Sequence, residues 1–330
     1  MPRRSWTPRC CATSTACSAR SGASAPCATP SALTCTAATR WRPTWWRPCC
    51  ASAARPAVAE TYLREDFAAG ELTPHGLLPW ARATALAAPR ADIYREREGR
   101  RTLRLRRGGR GYFLKYHGGI GWAEVLRNLL RGRLPVTGAE NEYRALRSLA
   151  AAGLEVPRVA AYAGAGRNPA RRRSVVVTDA LQRTVSLEDY CAGWGERPPP
   201  PGQRAQLVRL LAQIARRMHA AGINHRDFYL CHFHLRPDTL GGPRPTCYLI
   251  DLHRAQQRRA VPLRWRVKDL AGLYFSAMDC GLRRRDLLRF MHHYSDGGLR
   301  AALGRDAALW RRVSRKARRL YGTKGGRLHS

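Results

Sequence analysis

Residues 222–235 read GINHRDFYLCHFHL, and sixteen residues after Leu235 the apolar run Tyr248-Leu249-Ile250 ends in Asp251. Two carboxylates delivered this way suit phosphoryl transfer. That chemistry needs one carboxylate to orient and deprotonate an acceptor hydroxyl, and a second to hold the magnesium that bridges the nucleotide phosphates. His225-Arg226-Asp227 supplies the first and Asp251 the second. The spacing fits a catalytic loop, a short hairpin and then a metal-binding turn. A lone His-Arg-Asp would sit equally well in a solvated loop. Here a helix precedes it and a strand-like run follows, so both carboxylates are brought to one cleft.

The helix is predicted over 203–221, where Leu207, Leu210, Leu211, Ile214 and Met218 recur on one face and Gly222 closes the end. It gives the loop a rigid mount. Upstream, 101–106 alternates polar and apolar residues, 107–111 carries turn signals, and Tyr112-Phe113-Leu114-Lys115 resumes a strand. This hairpin delivers Lys115, which suits a clamp on the nucleotide α- and β-phosphates, with a helix glutamate fixing it. Glu142 fits that partner, on a helix where Tyr143, Leu146 and Leu149 repeat at helical spacing; Glu140 competes with it. Taken alone, Lys115 and Glu142 would read as an exposed strand lysine and a solvated helix residue. The downstream His-Arg-Asp reverses that preference.

A glycine-rich phosphate loop is missing, since 96–101 holds one glycine among charges. The nucleotide is therefore expected to be covered differently from the way protein kinases cover it, which favours a divergent small-molecule kinase. Ser174 to Asp179 reads as a buried strand, 179–184 as the hinge that meets the adenine, and Ser186-Leu187-Glu188-Asp189 as a capped helix start. The proline-rich stretch 195–202 reads as a surface loop.

His225, Cys231, His232, His234 and His253 raise the question of zinc, but their spacing matches no structural zinc pattern. A buried, hydrogen-bonded His225 accounts for that residue without metal. His232 lies five residues after Asp227, where protein kinases carry a magnesium-binding asparagine, and imidazole is a poor magnesium ligand. Either His232 contacts a phosphate, or Asp251 does most of the metal binding.

The 330 residues carry a net charge of +36, from 59 basic and 23 acidic side chains. Such a balance predicts polyanionic partners: nucleic acid, anionic lipid or heavily phosphorylated substrate. No run of eighteen apolar residues appears, and Arg3-Arg4 is not followed by an apolar segment, so neither a spanning helix nor a secretory signal is expected. Residues 1–59 contain no Asp or Glu yet hold seven of the eleven cysteines, without sustained periodicity. They read as a low-complexity extension, disordered or a mis-started translation of a GC-rich gene, with the native product beginning near Val58. A disulfide or zinc module there is disfavoured by the absence of any Cys-x-x-Cys pair.

The strings Gly222 to Asp227, Cys231-His232-Phe233, Ile250 to Gln256, Arg264-Trp265-Arg266 and Lys268-Asp269-Leu270 resemble the lipopolysaccharide core heptose(I) kinase family of Gram-negative bacteria. Arg101 to Arg104, Tyr112 to Lys115 and Ser186 to Cys191 resemble it in the same order, so the likeness spans about 61–300. His234 departs from it, standing where an apolar residue is expected. The resemblance implies an α+β, two-lobed, protein-kinase-like fold, with a small β-rich N-lobe (60–180) and a larger helical C-lobe (181–330) bearing a basic tail. It implies transfer of the γ-phosphate of ATP, with Mg2+, to a hydroxyl of the first inner-core heptose.

On this reading Asp227, Lys115 and Arg226 are the catalytic candidates, Lys115, Glu142, His232 and Asp251 the nucleotide-binding ones, and Asp251 the metal ligand. Asp269, taken to open a helix, would brace the catalytic loop. The acceptor is an inner-core glycolipid, and the enzyme is expected in the cytoplasm, peripheral on the anionic inner face of the inner membrane. Arg283-Arg284-Arg285 and the basic residues of 311–319 would hold it there; alternatively, that tail is a solvated amphipathic helix with Leu309, Trp310 and Val313 packed on the C-lobe. Two rivals stand beside this reading: a kinase of another sugar, such as octulosonic acid, or of a small molecule, and a basic nucleic-acid-binding protein on a dead kinase scaffold. The second predicts erosion of Lys115, Asp227 or Asp251, and none is lost, so no nucleic acid is expected as partner.

Overall fold

Alternation along 110–117 decides how the first half is layered. The computed structural model describes residues 58–97, 99–130 and 136–324. In it β1 (Val58–Leu63), β2 (Ile93–Arg97), β3 (Arg100–Arg107), β4 (Arg110–His117), β5 (Val159–Ala165) and β6 (Arg173–Asp179) form one antiparallel sheet in the order β1-β5-β6-β4-β3-β2. Tyr112, Leu114 and Tyr116 point to one face. There they pack with Leu103, Val175 and Val177 against Phe67 of α1 (Glu65–Ala68) and Leu77, Leu78 and Ala81 of α2 (Leu77–Ala87). Strand alternation turns Lys115 to the opposite face.

That second face receives a helix. After α3 (Gly121–Leu130), the chain enters α4 (Glu140–Ala151), whose Tyr143 ring stacks on Tyr162 of β5 at 4.0 Å, over Val176. One turn on, Leu146 and Leu149 of α4 join the core of the second half. The helix thus belongs to both halves, and its first turn lies over the strand that carries Lys115.

The second half is mainly helical. Ser186 Oγ accepts from the Asp189 amide (3.1 Å) and starts α5 (Leu187–Cys191) as the sequence predicts. The long helix α6 runs Pro201–Ala220, two residues earlier than the apolar periodicity implies, because Pro201 fits the first helical turn, where an N–H has no partner to lose. Leu207, Leu211, Ile214 and Met218 are buried on α7 (Leu263–Ser276) and its neighbours. Asp269 lies in the middle of α7 rather than opening it, a correction to the predicted helix start: the helix begins directly after Pro262. Helices α8 (Arg284–Tyr294), α9 (Gly298–Leu303) and α10 (Ala307–Lys324) complete the half. Leu309, Val313 and Ala317 of α10 are buried, while Arg311, Arg312, Arg315, Lys316, Arg318 and Arg319 are exposed, so the tail is the packed amphipathic helix.

Short strands hold the loops between. β7 (Val185–Ser186), β9 (Phe233–Leu235) and β10 (Cys247–Leu249) form one small sheet, and β8 (Ile223–Asn224) pairs with β11 (Gln256–Gln257). The expected α+β, two-lobed, kinase-like architecture is what the chain adopts. The extension foreseen for residues 1–59 lies, up to residue 57, outside the described residues. Among those described, no helix is long and apolar enough to cross a membrane.

Candidate active site

The catalytic loop is held from three sides. Gly222 ends α6 at φ +75, and a Cβ there would lie 1.9 Å from the Arg258 carbonyl, so only glycine lets the chain turn so close to β11. Asp269, fully buried, accepts from the amides of His225 (2.7 Å) and Arg226 (2.8 Å). His225, also fully buried, donates through Nε2 to the Ile250 carbonyl (2.9 Å). Burial pushes its imidazole below the ordinary value, which keeps the ring neutral. This is the non-metal role expected of it, and it ties the loop to the strand that delivers Asp251.

The β9–β10 hairpin sets that delivery. Leu249 pairs with Phe233, the Ile250 amide donates to the His232 carbonyl (3.0 Å), and Asp251 then takes a left-handed conformation, φ +59. A non-glycine residue adopts this backbone only where its surroundings impose it. It turns the carboxylate toward Lys115, whose Nζ lies 3.8 Å from Oδ1.

Lys115 Nζ itself donates to Glu142 Oε1 at 2.5 Å, and the Glu142 side chain is only 4% exposed. Glu140 faces elsewhere, to Arg144 (2.5 Å) and Arg172, so the choice between the two glutamates falls on Glu142. Burial disfavours the Lys115 ammonium, but the charges of Glu142 and Asp251 outweigh it and hold Lys115 above its ordinary value. At Asp251 burial again opposes charge; a hydrogen bond from His253, with the charges of His253, Lys115 and His232, holds the carboxyl far below the usual range.

His232 sits between the two carboxylate residues. Nδ1 donates to the Asp227 carbonyl (2.6 Å), and Nε2 lies 3.5 Å from Asp251 Oδ2. His253 Nδ1 donates to Asp251 Oδ1 at 2.6 Å. The Asp227 carboxylate is gripped by Arg254, whose Nη1 lies 2.9 and 3.0 Å from its two oxygens. Sequence reasoning gave His253 and Arg254 no role. Their nearness to Asp251 in the chain was the available signal, but which way each side chain points depends on the left-handed turn.

Arg226 differs from its expected catalytic placement. Its backbone, at φ +76, serves the Asp269 brace, and its guanidinium stacks on Trp265, Cζ 5.5 Å from the ring centre. Beside Lys115, Glu142 and Asp251 a cavity of about 90 Å³ is lined by Arg95 and Arg100 of β2 and β3, while the Arg101 guanidinium turns to the other face, to Glu96 (2.7 Å) and the Ala85 carbonyl (2.8 Å). Arginines therefore stand where a glycine-rich loop would otherwise cover phosphates. The foreseen hinge begins at Asp179, which Arg64 pins through two contacts of 2.7 and 3.1 Å. Among the described residues no three His, Cys, Asp or Glu side chains gather as a metal cage.

The model of the Lipopolysaccharide kinase (Kdo/WaaP) family matches residues 84–294. The chain is similar to the lipopolysaccharide core heptose(I) kinase WaaP of Pseudomonas aeruginosa, 49% identical over 241 residues, covering 73% of this chain and 90% of that protein. It is likewise similar to WaaP of Escherichia coli K12, 45% identical over 230 residues, 69% of this chain and 87% of that protein. A solved structure of WaaP in complex with acyl carrier protein superposes with a TM-score of 0.66 at 41% identity, covering 79% of this chain and 99% of that one. On a match of this extent and identity, the chain belongs to the lipopolysaccharide kinase (Kdo/WaaP) family.

Proposed function

We infer that this protein transfers the γ-phosphate of ATP to a hydroxyl of the first heptose of the lipopolysaccharide inner core. The observation that carries the reading is the convergence of Asp227, Asp251 and the Lys115–Glu142 pair on one cleft, in a chain that shares 49% identity with a heptose(I) kinase. In the reaction a bond forms between the sugar oxygen and the γ-phosphorus, the bond from that phosphorus to the β,γ-bridging oxygen breaks, and ADP leaves. Asp227 orients the hydroxyl and accepts its proton. Lys115, fixed by Glu142, clamps the nucleotide phosphates, and Arg95 and Arg100 cover them. Arg226 and Asp269 act by positioning the loop, and electrostatic placement supplies most of the rate.

The residues present fit magnesium. The carboxylate of Asp251 is a hard oxygen donor aimed into the cleft, whereas His232 and His253 offer imidazoles that suit magnesium poorly. Held by Asp251, the ion would neutralise charge on the nucleotide phosphates; His232, already bonded to the Asp227 carbonyl, serves the loop.

Peripheral attachment to the anionic inner face of the inner membrane belongs to the same reading. In its support, α3 exposes Trp122, Leu126, Leu129 and Leu130 along one face, and α10 exposes six basic side chains. The complex solved for the relative favours a further partner. A cavity of about 270 Å³, lined by apolar residues such as Leu211, Leu273, Phe290, Trp310 and Val313, suits an acyl chain presented by acyl carrier protein. Titration with acylated and unacylated carrier protein tests this, and equal affinity for both would contradict it.

For the kinase reading, the test is incubation with labelled ATP, magnesium and core glycolipid lacking phosphate. Label on the heptose supports it. Label only on the octulosonic acid or another acceptor assigns the chain to the rival sugar kinase, and salt-sensitive duplex binding without transfer would favour the nucleic-acid reading.

A further inference from the structure

Five cations crowd the neighbourhood of Trp265 and Asp227. Around the Trp265 ring stand Arg226 (5.5 Å from its centre), Arg258 (5.8 Å), Arg264 (5.5 Å) and Lys268 (5.6 Å). Arg254 adjoins them through Asp227. Among the described residues, none of the four cations on Trp265 has a carboxylate within ion-pair distance; the side-chain hydrogen bonds of Arg258 go to the neutral amides of Asn224 (2.5 Å) and Gln256 (2.7 Å). Nearby acids are already engaged, Asp227 by Arg254 and Asp269 by two backbone amides. Arg226 Nε and Trp265 Nε1 are buried donors with no hydrogen-bond partner.

Like charges gathered this closely repel, and each ring contact offsets only about 0.5–2 kcal/mol. Buried donors left unmade cost about 1–3 kcal/mol each. Such a cluster is sustained when an anion completes it. Burial draws the Lys268 ammonium below its ordinary value, against the charges of Asp227 and Asp269. Arg226 precedes Asp227 in the chain, Arg254 bonds its carboxylate, and none of the five cations lines the cavity beside Lys115 and Asp251. The cluster therefore borders Asp227, where the acceptor hydroxyl is read to arrive.

We propose that Arg226, Arg264, Lys268 and Trp265 form a subsite for an oxyanion on the acceptor, next to the hydroxyl that is phosphorylated. This rests on the reading of Asp227 as the base that meets the acceptor. The chemistry recognised is a carboxylate or a phosphate held by charge-assisted hydrogen bonds. An acceptor bearing acidic sugars presents the first, and its lipid phosphates the second.

The test measures KM for acceptor and for ATP with wild type, Lys268→Gln and Arg264→Gln, each on intact core glycolipid, its carboxyl-reduced form and its lipid-dephosphorylated form. Arg264 is exposed, so that variant guards against a folding defect. Each substitution is expected to raise the acceptor KM about tenfold, as the loss of a hydrogen bond to a charged group does, with KM for ATP in place. Carboxyl reduction should impair wild type by a similar factor and the variants no further; the same pattern on dephosphorylation would identify a phosphate instead. Equal loss on all three acceptors, or a rise in KM for ATP, overturns the subsite. Calorimetric titration of free octulosonic acid and of inorganic phosphate into wild type and Lys268→Gln separates this inference from the kinase reading. Saturable binding lost in the variant upholds the subsite even if no glycolipid is phosphorylated; no saturable binding of either anion overturns it even if transfer occurs.

Discussion

Arg254 Nη1 meets both carboxylate oxygens of Asp227, at 2.9 and 3.0 Å, in a partly exposed pair: the arginine side chain is 34% exposed, that of Asp227 19%. A base held through both oxygens has its orientation set before substrate arrives. Misplacing a reacting group by about 1 Å costs up to ~100-fold in rate. Arg254→Ala should therefore lower kcat by about 10- to 100-fold with the ATP dissociation constant retained. Steady-state kinetics beside nucleotide titration decide this, and an unchanged kcat would show that the pair does not position the base.

The Lys115–Glu142 pair serves catalysis and stability separately. Lys115→Met leaves a nearly buried carboxylate without its countercharge, which costs about 3 kcal/mol. Adding Glu142→Gln should restore most of that stability and none of the activity. Denaturant unfolding and transfer assays on the two variants check the separation; recovery of activity in the double variant would contradict the clamp.

His117 predicts a pH dependence. It is 4% exposed, and burial, helped by the charges of Arg100, Lys115 and His253, draws its imidazole down from 6.5 to about 3. The unfolded chain then binds a proton that the folded chain refuses, so His117 destabilises the fold progressively as pH falls from about 6.5 toward 3 and leaves it unaffected above. His117→Leu should reduce the loss of unfolding free energy between pH 7 and about 4.5 by roughly 2–3 kcal/mol. Parallel stability curves for variant and wild type would contradict it.

Asp269 braces the catalytic loop from inside α7. Asp269→Asn sets a side-chain N–H against a backbone N–H at His225 or Arg226, leaving a buried donor unpaired at about 1–3 kcal/mol. Stability should fall by that amount, and kcat should fall with KM for ATP retained. Loss of stability with full kcat would mean that the brace does not orient Asp227.

The residues that meet in the cleft were legible because phosphoryl transfer prescribes types and an order that the chain presents. Asp227, Asp251 and Lys115 stand on a loop, a turn and a strand whose local patterns are strong. Glu142 was read ahead of Glu140 from the sequence, and the stack of Tyr143 on Tyr162 sets the rotation of α4 that brings it to Lys115. Arg254, His253 and the cations on Trp265 were not legible: they converge through the left-handed turn at Asp251 and through α7 starting at Leu263, six residues before Asp269. Strand β1 and helices α1 and α2 escaped notice for another reason. The buried face of α2 uses Ala81 and Ala85 beside Leu77 and Leu78, and alanines give little periodic contrast with their surroundings.

The most direct measurement is the rate of phosphate transfer to the core heptose by Asp227→Asn, set beside its ATP affinity and unfolding midpoint. Loss of the general base should lower kcat by about a thousandfold, with nucleotide binding and stability close to wild type. Transfer within about tenfold of wild type would contradict the assignment of Asp227 as the base.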